Sequence, residues 1–480
     1  MSLYDLINEA FINYPKSVIK DQQICYSYAE FEKKVDRISE ILKKKLQKKS
    51  KCAILCERNI NTALYMLACW KSKMIPIPLS INYGRMHCDK ILSFTQPNVI
   101  LSDIDVTDFV NGCYLDKYVF DEINIIKMHD DYDYEIDGIS DLAAIMCTSG
   151  TTGIPKGIML TNNNFVENIL AIERYFKLSE TDTILIIRPL YHCAALTGEF
   201  LVSLYCGSNV VFSDNKYDPF AVKELIESFD ITVLCGTPTF FNQFARIIRL
   251  KDRLNKLKKV VISGEILRKD IADIISKVFS EIEIFHVYGL TEAAPRVTYL
   301  PPELFKLYPQ SIGIPLDNTE IRLKYLENDD SIVKPYEPGL LFVHSPSVMC
   351  GYYRDKLLTR EKLNDEWLNT GDIAYMDEKG LLYIKSRSDN MIIRGGMNIY
   401  PSDIEEVIKN KKEVKDIVIY GQDEIIAEIV LNYDFKSLAE KEIMRIIMTN
   451  LPTYLVPDKI KIVDELIIGV TGKRKHRDIK

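Results

Sequence analysis

Short apolar runs alternate with amphipathic segments through the first 300 residues. Residues 52–56 and 75–79 are apolar runs of strand length, and residues 61–71 between them carry apolar positions at helical spacing. Further strand-like runs lie at 143–147, 183–187, 210–212, 231–235, 260–262 and 282–287. One intervening helix is expected to bury a face made of Phe165, Ile169, Ile172 and Phe176. This βαβ rhythm predicts an α/β fold with mostly parallel sheets and helices on their faces.

The pattern changes after about residue 300. Runs such as 340–344 and 381–384 alternate apolar and polar residues between Pro and Gly, which predicts a β-rich subdomain. A shorter α+β unit follows, with helices expected at 402–409 and 440–449 and strands at 417–420, 426–431 and 459–463. We therefore place a domain boundary close to Arg387, between a large N-terminal part and a smaller C-terminal unit.

The bulk composition narrows the class of protein. With 480 residues the chain is long enough for two or three domains. Apolar residues make up 47% and charged residues 27%, which is typical of a globular protein, and the net charge of −7 argues against nucleic acid as a partner. No run approaches 18 apolar residues, so no membrane span is expected.

Cysteine usage and the N-terminal segment bear on location. The eleven cysteines contain no C-x-x-C pair, which favours reduced, mostly buried thiols over a zinc site or a disulfide framework. The first residues carry acids early and lack a basic region followed by an apolar core. We expect a reducing, cytoplasmic location.

The most informative segment is Cys147-Thr-Ser-Gly-Thr-Thr-Gly-Ile-Pro-Lys-Gly157, which follows a predicted strand. Glycines let backbone N–H groups approach an anion, hydroxyls donate hydrogen bonds, and a lysine adds positive charge. The candidate phosphate-binding residues are Thr148, Ser149, Gly150, Thr151, Thr152, Gly153 and Lys156. The glycine spacing and the Gly157 after the lysine distinguish this loop from a Walker motif. The alternative is an ordinary Gly-Thr-rich surface loop.

The sequence resembles the adenylate-forming superfamily of acyl-CoA synthetases, luciferases and peptide-synthetase adenylation domains, almost from end to end. Besides the phosphate loop, the resemblance includes Pro189-Leu-Tyr-His192, Tyr288-Gly-Leu-Thr-Glu292, Thr370-Gly-Asp372, Arg387-Ser-Asp-Asn-Met-Ile-Ile-Arg-Gly-Gly396 and Thr471-Gly-Lys473, in the family's order. Each tripeptide alone is a weak signal, but the ordered set is specific. The resemblance points to the branch of acyl- and aryl-CoA synthetases.

That resemblance implies a reaction in two steps. A fatty or aromatic acid is joined to AMP from ATP, with Mg²⁺ as cofactor, and its acyl group then passes to coenzyme A or to a phosphopantetheinyl carrier protein. Lys473 matches the lysine that bridges the carboxylate and the α-phosphate during adenylation. The alternative for Lys473 is one more lysine in a solvated basic tail.

The nucleotide site follows by resemblance. Glu292 is expected to bind Mg²⁺, since this hard cation is usually held by one or two protein carboxylates plus phosphate oxygens. Thr291 is expected to contact the α-phosphate, and Tyr288 to stack on adenine, with core packing as the alternative for the tyrosine. Gly264 and Glu265 belong to a turn that resembles the loop lining the adenine.

The ribose and the conformational change are assigned in the same way. Asp372 matches the aspartate that binds both ribose hydroxyls and Arg387 its companion, with surface salt bridges as the alternative. Asp389 lies where this family has its hinge, so the resemblance implies a large N-terminal domain over 1–386, a hinge at 387–389 and a small mobile C-terminal domain over 390–480. Gly395 and Gly396 are expected to line the tunnel through which the pantetheine thiol passes, because glycine leaves room beside the backbone.

His192 lies in the expected acid-binding region, where it could gate or polarise, although a core histidine is the plain alternative. Amino-acid-activating relatives place an aspartate there for the substrate ammonium, so a simple carboxylic acid is favoured. The pocket is expected around 192–198, 237–241, Gly264 and 293–295.

Three functions compete. The first is an acyl- or aryl-CoA ligase. The second is a stand-alone enzyme that loads an acyl or aryl carrier protein in trans. The third is a non-catalytic nucleotide-binding relative, which is disfavoured because Lys156, Glu292, Asp372 and Lys473 occur together.

Overall fold

The computed structural model describes residues 1–81, 85–106, 116–120, 123–128, 139, 141–149, 155–213, 217–248, 254, 256–326, 333–394, 397–421 and 424–466. The assignments to Gly150, Thr151, Thr152, Gly153, Gly395, Gly396 and Lys473 lie outside the described residues and stay predictions.

A large sheet forms the centre of the molecule. Its strands are, in spatial order, Ile314–Pro315, Arg296–Leu300, Glu283–Gly289, Lys259–Ile262, Val233–Gly236, Thr183–Ile186, Asn209–Phe212, Val18–Lys20 and Cys25–Ser27. Neighbouring strands from Glu283–Gly289 to Val18–Lys20 pair in parallel, and the pairs at the two ends are antiparallel. The predicted parallel α/β core is confirmed.

A second sheet repeats the parallel pattern with the strands Ile75–Ser80, Lys51–Cys56 and Val99–Ser102. It is extended by the antiparallel strands Ile123–Lys127 and Asp116–Phe120. The helix Asn59–Lys71 makes the crossover between its first two strands in the chain, as the alternating pattern predicted.

One strand assignment needs correction. The segment 143–147 was expected to join the parallel series, but the strand Leu142–Ser149 pairs antiparallel with Pro155–Thr161. Gly351–Tyr352 adds to the other side of Pro155–Thr161 and completes a separate hairpin sheet. Both long strands are apolar runs, and a short apolar run does not reveal its partner's direction because that depends on tertiary pairing. The candidate phosphate loop therefore connects two antiparallel strands.

The β-rich subdomain is an antiparallel sheet of Glu320–Lys324, Gly339–His344, Trp367–Met376, Leu363–Asn364 and Leu382–Arg387. The C-terminal part contains the hairpin Ile392–Arg394 with Met397–Ile399 and a sheet of Val414–Tyr420, Ile426–Leu431 and Lys459–Ile462. The helices Pro401–Lys409 and Glu440–Asn450 pack on this sheet, and together they form a separate hydrophobic core. The predicted α+β character of this part is confirmed, whereas the boundaries 1–386, 387–389 and 390–480 remain predictions.

Helices cover the sheets. The α-helices are Leu3–Asn13, Tyr28–Lys45, Asn59–Lys71, Arg85–Thr95, Asn162–Phe176, Cys193–Ala195, Val202–Tyr205, Pro219–Ser228, Pro238–Ile247, Lys269–Val278, Pro302–Phe305, Lys356–Lys362, Pro401–Lys409 and Glu440–Asn450, with a π-helix at Leu196–Leu201. Helix Asn162–Phe176 begins at Thr161, whose hydroxyl accepts from the Asn164 N–H in a capping box. Its apolar face buries the four residues predicted from the spacing, Phe165, Ile169, Ile172 and Phe176.

Two further predictions concern membrane-spanning helices and the state of the cysteines. Within the described ranges, no helix is both long and apolar enough to cross a bilayer. The cysteines that the structure describes are free thiols and most of them are buried, as expected from their scatter. The cytoplasmic location stays a prediction.

Candidate active site

The candidate residues cluster where parallel strands of the large sheet end. Thr291 and Glu292 follow strand Glu283–Gly289, and Gly264 follows Lys259–Ile262. His192 comes after Thr183–Ile186. Carboxyl ends of parallel strands meet at one edge of a sheet, which is where open α/β sheets bind ligands. Segments distant in the chain are thereby brought to one edge.

The hairpin sheet presents a lysine toward this edge. Thr148 and Lys156 are directly opposite each other in the antiparallel register, so their side chains share one face. The Lys156 Nζ lies 6.0 Å from the centre of the Tyr352 ring. The two chain ends that enter the candidate phosphate loop are therefore fixed by strand pairing.

Tyr352 links that lysine to the candidate metal ligand. Its hydroxyl donates to Glu292 Oε1 at 3.0 Å, and the Met349 N–H donates to the Glu292 carbonyl at 2.8 Å. Burial and the adjacent Glu292 charge raise the pKa of Tyr352, so the phenol stays protonated and remains a donor. Sequence reasoning missed Tyr352, because it lies 60 residues from Glu292 in the chain.

A second polar cluster joins the large sheet to the antiparallel sheet. The Tyr288 hydroxyl donates to Asp372 Oδ2 at 2.5 Å, and Arg387 Nη1 lies 3.2 Å from Asp372 Oδ1. Asp372 and Arg387 are paired in register on neighbouring antiparallel strands. Burial raises the pKa of Asp372, while the Arg387 charge and the Tyr288 hydroxyl oppose the rise. The carboxylate is thus oriented before any ligand binds.

The expected hinge residue touches this cluster. Asp389 lies in a 3₁₀ turn, Ser388–Asn390, directly after the strand that carries Arg387. Its Oδ1 lies 3.5 Å from Arg387 Nε. A change at Asp389 would therefore be transmitted to the arginine beside Asp372.

The turn at Gly264 and Glu265 is held against a helix. Gly264 is exposed and has φ of +93°, a conformation that side chains disfavour. Glu265 Oε2 accepts from the Thr239 N–H at 3.1 Å and from its hydroxyl at 2.7 Å. The acid that the resemblance assigned to the adenine loop thus anchors the turn to the start of helix Pro238–Ile247, leaving the backbone exposed.

His192 lies at the start of the short helix Cys193–Ala195, with its ring 4.4 Å from that of Tyr191. It is half-buried. The neighbouring Cys193 thiol has its pKa raised to about 12, chiefly by burial, with Glu292 raising it and Arg296 lowering it.

Asn168 was missed and fixes the segment after Glu292. Its amide donates to the carbonyls of Ala293 at 3.3 Å and Arg296 at 2.9 Å, and its Oδ1 accepts from the Arg296 N–H at 3.1 Å. The side chain is fully buried. A polar residue within an otherwise apolar helix face was the signal that could have identified it.

A buried ion pair was also missed. Arg188 Nε donates to Glu199 Oε1 at 2.6 Å, and Arg188 Nη1 donates to the Ser263 hydroxyl at 2.8 Å. Both charged groups are buried, since their side chains alone are 5% and 0% exposed. Arg188 directly precedes the Pro189-Leu-Tyr-His192 motif, and Glu199 interrupts an apolar run, so both were visible as charges in apolar surroundings.

The site suits a nucleotide with a divalent cation. In the described part of the chain, no three His, Cys, Asp or Glu side chains are grouped as metal ligands. A cation at Glu292 would take its other ligands from phosphate oxygens and water, which is how Mg²⁺ is commonly bound. The aromatic, carboxylate and arginine side chains of the second cluster suit a nucleoside.

Comparison with known proteins settles the family. The model of the AMP-binding enzyme family matches residues 9–353, which include the phosphate loop, Glu292 and Tyr352. The chain belongs to the AMP-binding enzyme family. The predicted resemblance is thereby confirmed, and the site described above is the candidate site of an AMP-binding enzyme.

Curated relatives in this family are acid–coenzyme A ligases. A long-chain-fatty-acid–CoA ligase from Escherichia coli O157:H7 is 33% identical over 350 residues, which are 71% of this chain and 61% of that ligase. The chain thus spans about three fifths of the length of that relative. A feruloyl-CoA synthase from Amycolatopsis sp is 27% identical over 456 residues, 93% of this chain and 92% of that protein.

Solved structures confirm the fold class. The ATP-bound MatB from Rhodopseudomonas palustris superposes with a TM-score of 0.83 at 23% identity, covering 99% of this chain and 97% of that one. The o-succinylbenzoate CoA synthetase from Bacillus subtilis, in complex with its acyl-adenylate intermediate, gives 0.82 at 22% identity with the same coverage. At this level of identity the similarity concerns the fold.

Proposed function

We propose that this protein is an acid–thiol ligase that activates a carboxylic acid with ATP and transfers the acyl group to coenzyme A. The observation that carries the proposal is the convergence of two clusters at one edge of the large sheet. One cluster contains Lys156, Tyr352 and Glu292, and the other contains Tyr288, Asp372 and Arg387. The family and the named activities of its relatives support the same reaction.

In the first step, a carboxylate oxygen of the acid attacks the α-phosphorus of ATP, and the bond to the β-phosphate oxygen breaks to release pyrophosphate. In the second step, the thiol attacks the acyl carbon, loses its proton, and AMP departs. Negative charge develops in the transition state of both steps. The protein therefore has to align the reacting groups and neutralise that charge.

Different residues of the site would bind different parts of ATP. Lys156 and the loop before it would hold phosphate oxygens, and Thr291 would donate to the α-phosphate. Glu292, oriented by Tyr352, would hold Mg²⁺, which neutralises phosphate charge when bound. Asp372 would accept the ribose hydroxyls.

The remaining assignments complete the site. Tyr288 and the turn at Gly264 and Glu265 would bound the adenine, and Arg387 would support Asp372. His192 would lie beside the acid, and Lys473 would bridge the carboxylate and the α-phosphate. The thiol would approach along Gly395 and Gly396 after a rotation at Asp389.

The acceptor is tested by measuring pyrophosphate release from ATP and Mg²⁺ with a panel of acids, each with and without coenzyme A. Release with a given acid, and thioester only when coenzyme A is present, is the expected result. If the adenylate accumulates, does not react with coenzyme A and does react with a phosphopantetheinyl carrier protein, then the carrier protein is the acceptor. If no acid causes pyrophosphate release, the protein is a non-catalytic nucleotide-binding relative and the proposed activity is wrong.

The role of Lys473 is tested with Lys473→Ala beside Lys475→Ala, a matched change in the same basic run. Loss of one charge contact to the transition state costs about 10²- to 10³-fold in turnover. We expect that loss in pyrophosphate release for Lys473→Ala alone, with ATP binding by calorimetry unchanged. If Lys473→Ala forms the adenylate at the wild-type rate, Lys473 has no role in adenylation.

A further inference from the structure

Three buried charges lie beneath the expected acid-binding segment. They are Arg188, Glu199 and Arg296, with exposures of 4%, 0% and 3%. Glu199 lies on the π-helix Leu196–Leu201, a helix type that is rare and frequent at functional sites. These residues come from separate elements, the ends of two sheet strands and one helix, so the fold brings them together.

Arg188 and Glu199 form an ion pair, whereas Arg296 is in no ion pair with a described residue and has the Tyr175 hydroxyl as a hydrogen-bond neighbour. The pair is joined by a hydrogen bond of 2.6 Å. Among the described residues, no acidic side chain lies within ion-pair distance of Arg296, and its Nε has no hydrogen-bond partner. Glu199 Oε2 is a second buried polar atom without a partner in the described residues. A buried polar atom without a partner needs an explanation, and an absent ligand is one; for the Arg296 Nε–H group, which is a donor, that ligand is an acceptor.

The charge count leaves an excess positive charge. Two guanidinium groups face one carboxyl group, and burial raises the pKa of Glu199 against the opposing charges of Arg188 and Arg296. An uncompensated buried charge is costly, and an arginine fork matches a carboxylate in geometry. An anionic group is therefore the ligand that completes the cluster.

The cluster borders the segment where the acid is expected. A Cβ added at Gly198 would lie 2.7 Å from Arg296 Nη2, so the guanidinium lies against a residue of the expected pocket. Arg296 also follows directly on the pocket segment 293–295, which Asn168 holds in place.

We infer that the substrate is a dicarboxylic acid whose second carboxylate, remote from the one that is activated, pairs with Arg296. This inference rests on the proposed ligase activity. Arg188 and Glu199 act as positioning residues, because their pairing occupies the one nearby carboxyl and leaves Arg296 for the substrate.

The test measures pyrophosphate release by the full chain with a series of α,ω-dicarboxylic acids and the monocarboxylic acids of matched length. A paired, desolvated carboxylate changes binding by amounts equivalent to about 30-fold or more. We expect the best dicarboxylic acid to exceed its monocarboxylic match in kcat/KM by at least that factor. The same diacid alone is expected to raise Tm more than the monoacid.

Variants assign the preference to Arg296. Arg296→Met should reduce the diacid-to-monoacid ratio to within about fivefold, whereas Arg296→Lys, which keeps the charge, should retain part of it. Gly198→Ala provides a second variant, since its added Cβ displaces the guanidinium without removing any charge. Arg174→Met removes an exposed arginine on a helix surface and should leave the ratio unchanged.

The outcomes separate the two proposals. If monocarboxylic acids are activated as well as diacids by the wild-type chain, the inference is wrong and the ligase activity stands. A diacid preference that survives both Arg296→Met and Gly198→Ala also overturns it. If Arg296→Met does not fold, Gly198→Ala and Arg296→Lys decide. No pyrophosphate release with any acid overturns the ligase proposal and this inference together.

Discussion

At the scale of single residues, Tyr352 connects the candidate metal ligand to Lys156, the lysine that is predicted to bind phosphate. Its hydroxyl donates to Glu292, and its ring lies beside Lys156. Partners that orient a metal ligand typically affect metal affinity by 10- to 100-fold when removed. The tyrosine thus has an assignable role although no motif contains it.

We expect Tyr352→Phe to raise the Mg²⁺ concentration for half-maximal pyrophosphate release by about tenfold or more. Titration of MgCl₂ at fixed ATP measures this requirement. Tyr353→Phe is the neighbouring control, because that hydroxyl accepts from Lys51 at 2.8 Å instead of contacting Glu292. An unchanged Mg²⁺ requirement in Tyr352→Phe would limit the tyrosine to packing.

His286 makes stability depend on pH. Burial lowers its pKa from 6.5 to about 4, while its Nδ1 is 2.7 Å from the Ser311 carbonyl oxygen. The unfolded chain binds the proton more readily, so stability is full above pH 6.5 and is lost as pH falls toward 4. The loss amounts to roughly 3 kcal/mol between pH 7 and pH 4.

Urea unfolding of the wild type and His286→Gln at pH 7 and pH 4 measures that contribution. We expect the variant to be less stable at pH 7 and to lose less stability on acidification. His344→Gln, a change at a partly exposed histidine, should retain the wild-type pH dependence. Equal acid sensitivity of His286→Gln and the wild type would contradict the assignment.

At the scale of elements, helix Asn162–Phe176 holds the strand-end segment that follows Glu292. Asn168 makes hydrogen bonds to Ala293 and Arg296. Arg296 lies 128 residues from Asn168 in the chain, so this contact exists only in the tertiary structure. The helix itself follows from its capping box and apolar face. The helix therefore holds the segment 293–296, of which 293–295 belong to the predicted acid pocket.

Asn168→Leu should lower the free energy of unfolding by roughly 2–4 kcal/mol, because it leaves two carbonyls and one N–H unpaired in the interior. Differential scanning calorimetry should show a lower Tm, and KM for the acid should rise more than KM for ATP. Asn163→Leu, an exposed position on the same helix, is the matched control. Equal Tm values for the two variants would mean that water or a shifted backbone replaces these bonds.

At the scale of the whole molecule, the C-terminal part contacts the large part through polar side chains. Arg268 Nη1 lies 2.9 Å from Asp416 Oδ1, and Lys385 Nζ lies 2.6 Å from Asp403 Oδ1. The Ser402 hydroxyl donates to the Lys385 carbonyl at 2.9 Å. Among the described residues these contacts are polar, which is compatible with the rotation predicted at the hinge.

The hinge proposal predicts that Asp389→Pro separates the two half-reactions. Proline fixes φ near −65° and restricts the rotation expected at this position. We expect pyrophosphate release in a single turnover to continue while thioester formation falls by at least about tenfold. Asp389→Ala keeps a rotatable backbone and serves as control, and normal thioester formation by Asp389→Pro would contradict the hinge.

The family and most of the elements follow from the sequence alone. Strand and helix positions are local properties of apolar spacing and capping, so Lys51–Cys56, Ile75–Ser80 and Asn162–Phe176 were predicted closely. The ordered motifs likewise singled out Glu292 and Asp372, which the structure places after one strand and within another. These features depend on neighbours within a few residues.

Only the tertiary structure decided which elements pair and which side chains meet. Leu142–Ser149 joined an antiparallel hairpin because strand direction depends on a partner elsewhere in the chain. Tyr352 with Glu292 and Tyr288 with Asp372 meet across 60 and 84 residues, respectively. The excess positive charge at Arg296 became visible only once burial and distance were known, because a charge is uncompensated only with respect to its three-dimensional surroundings.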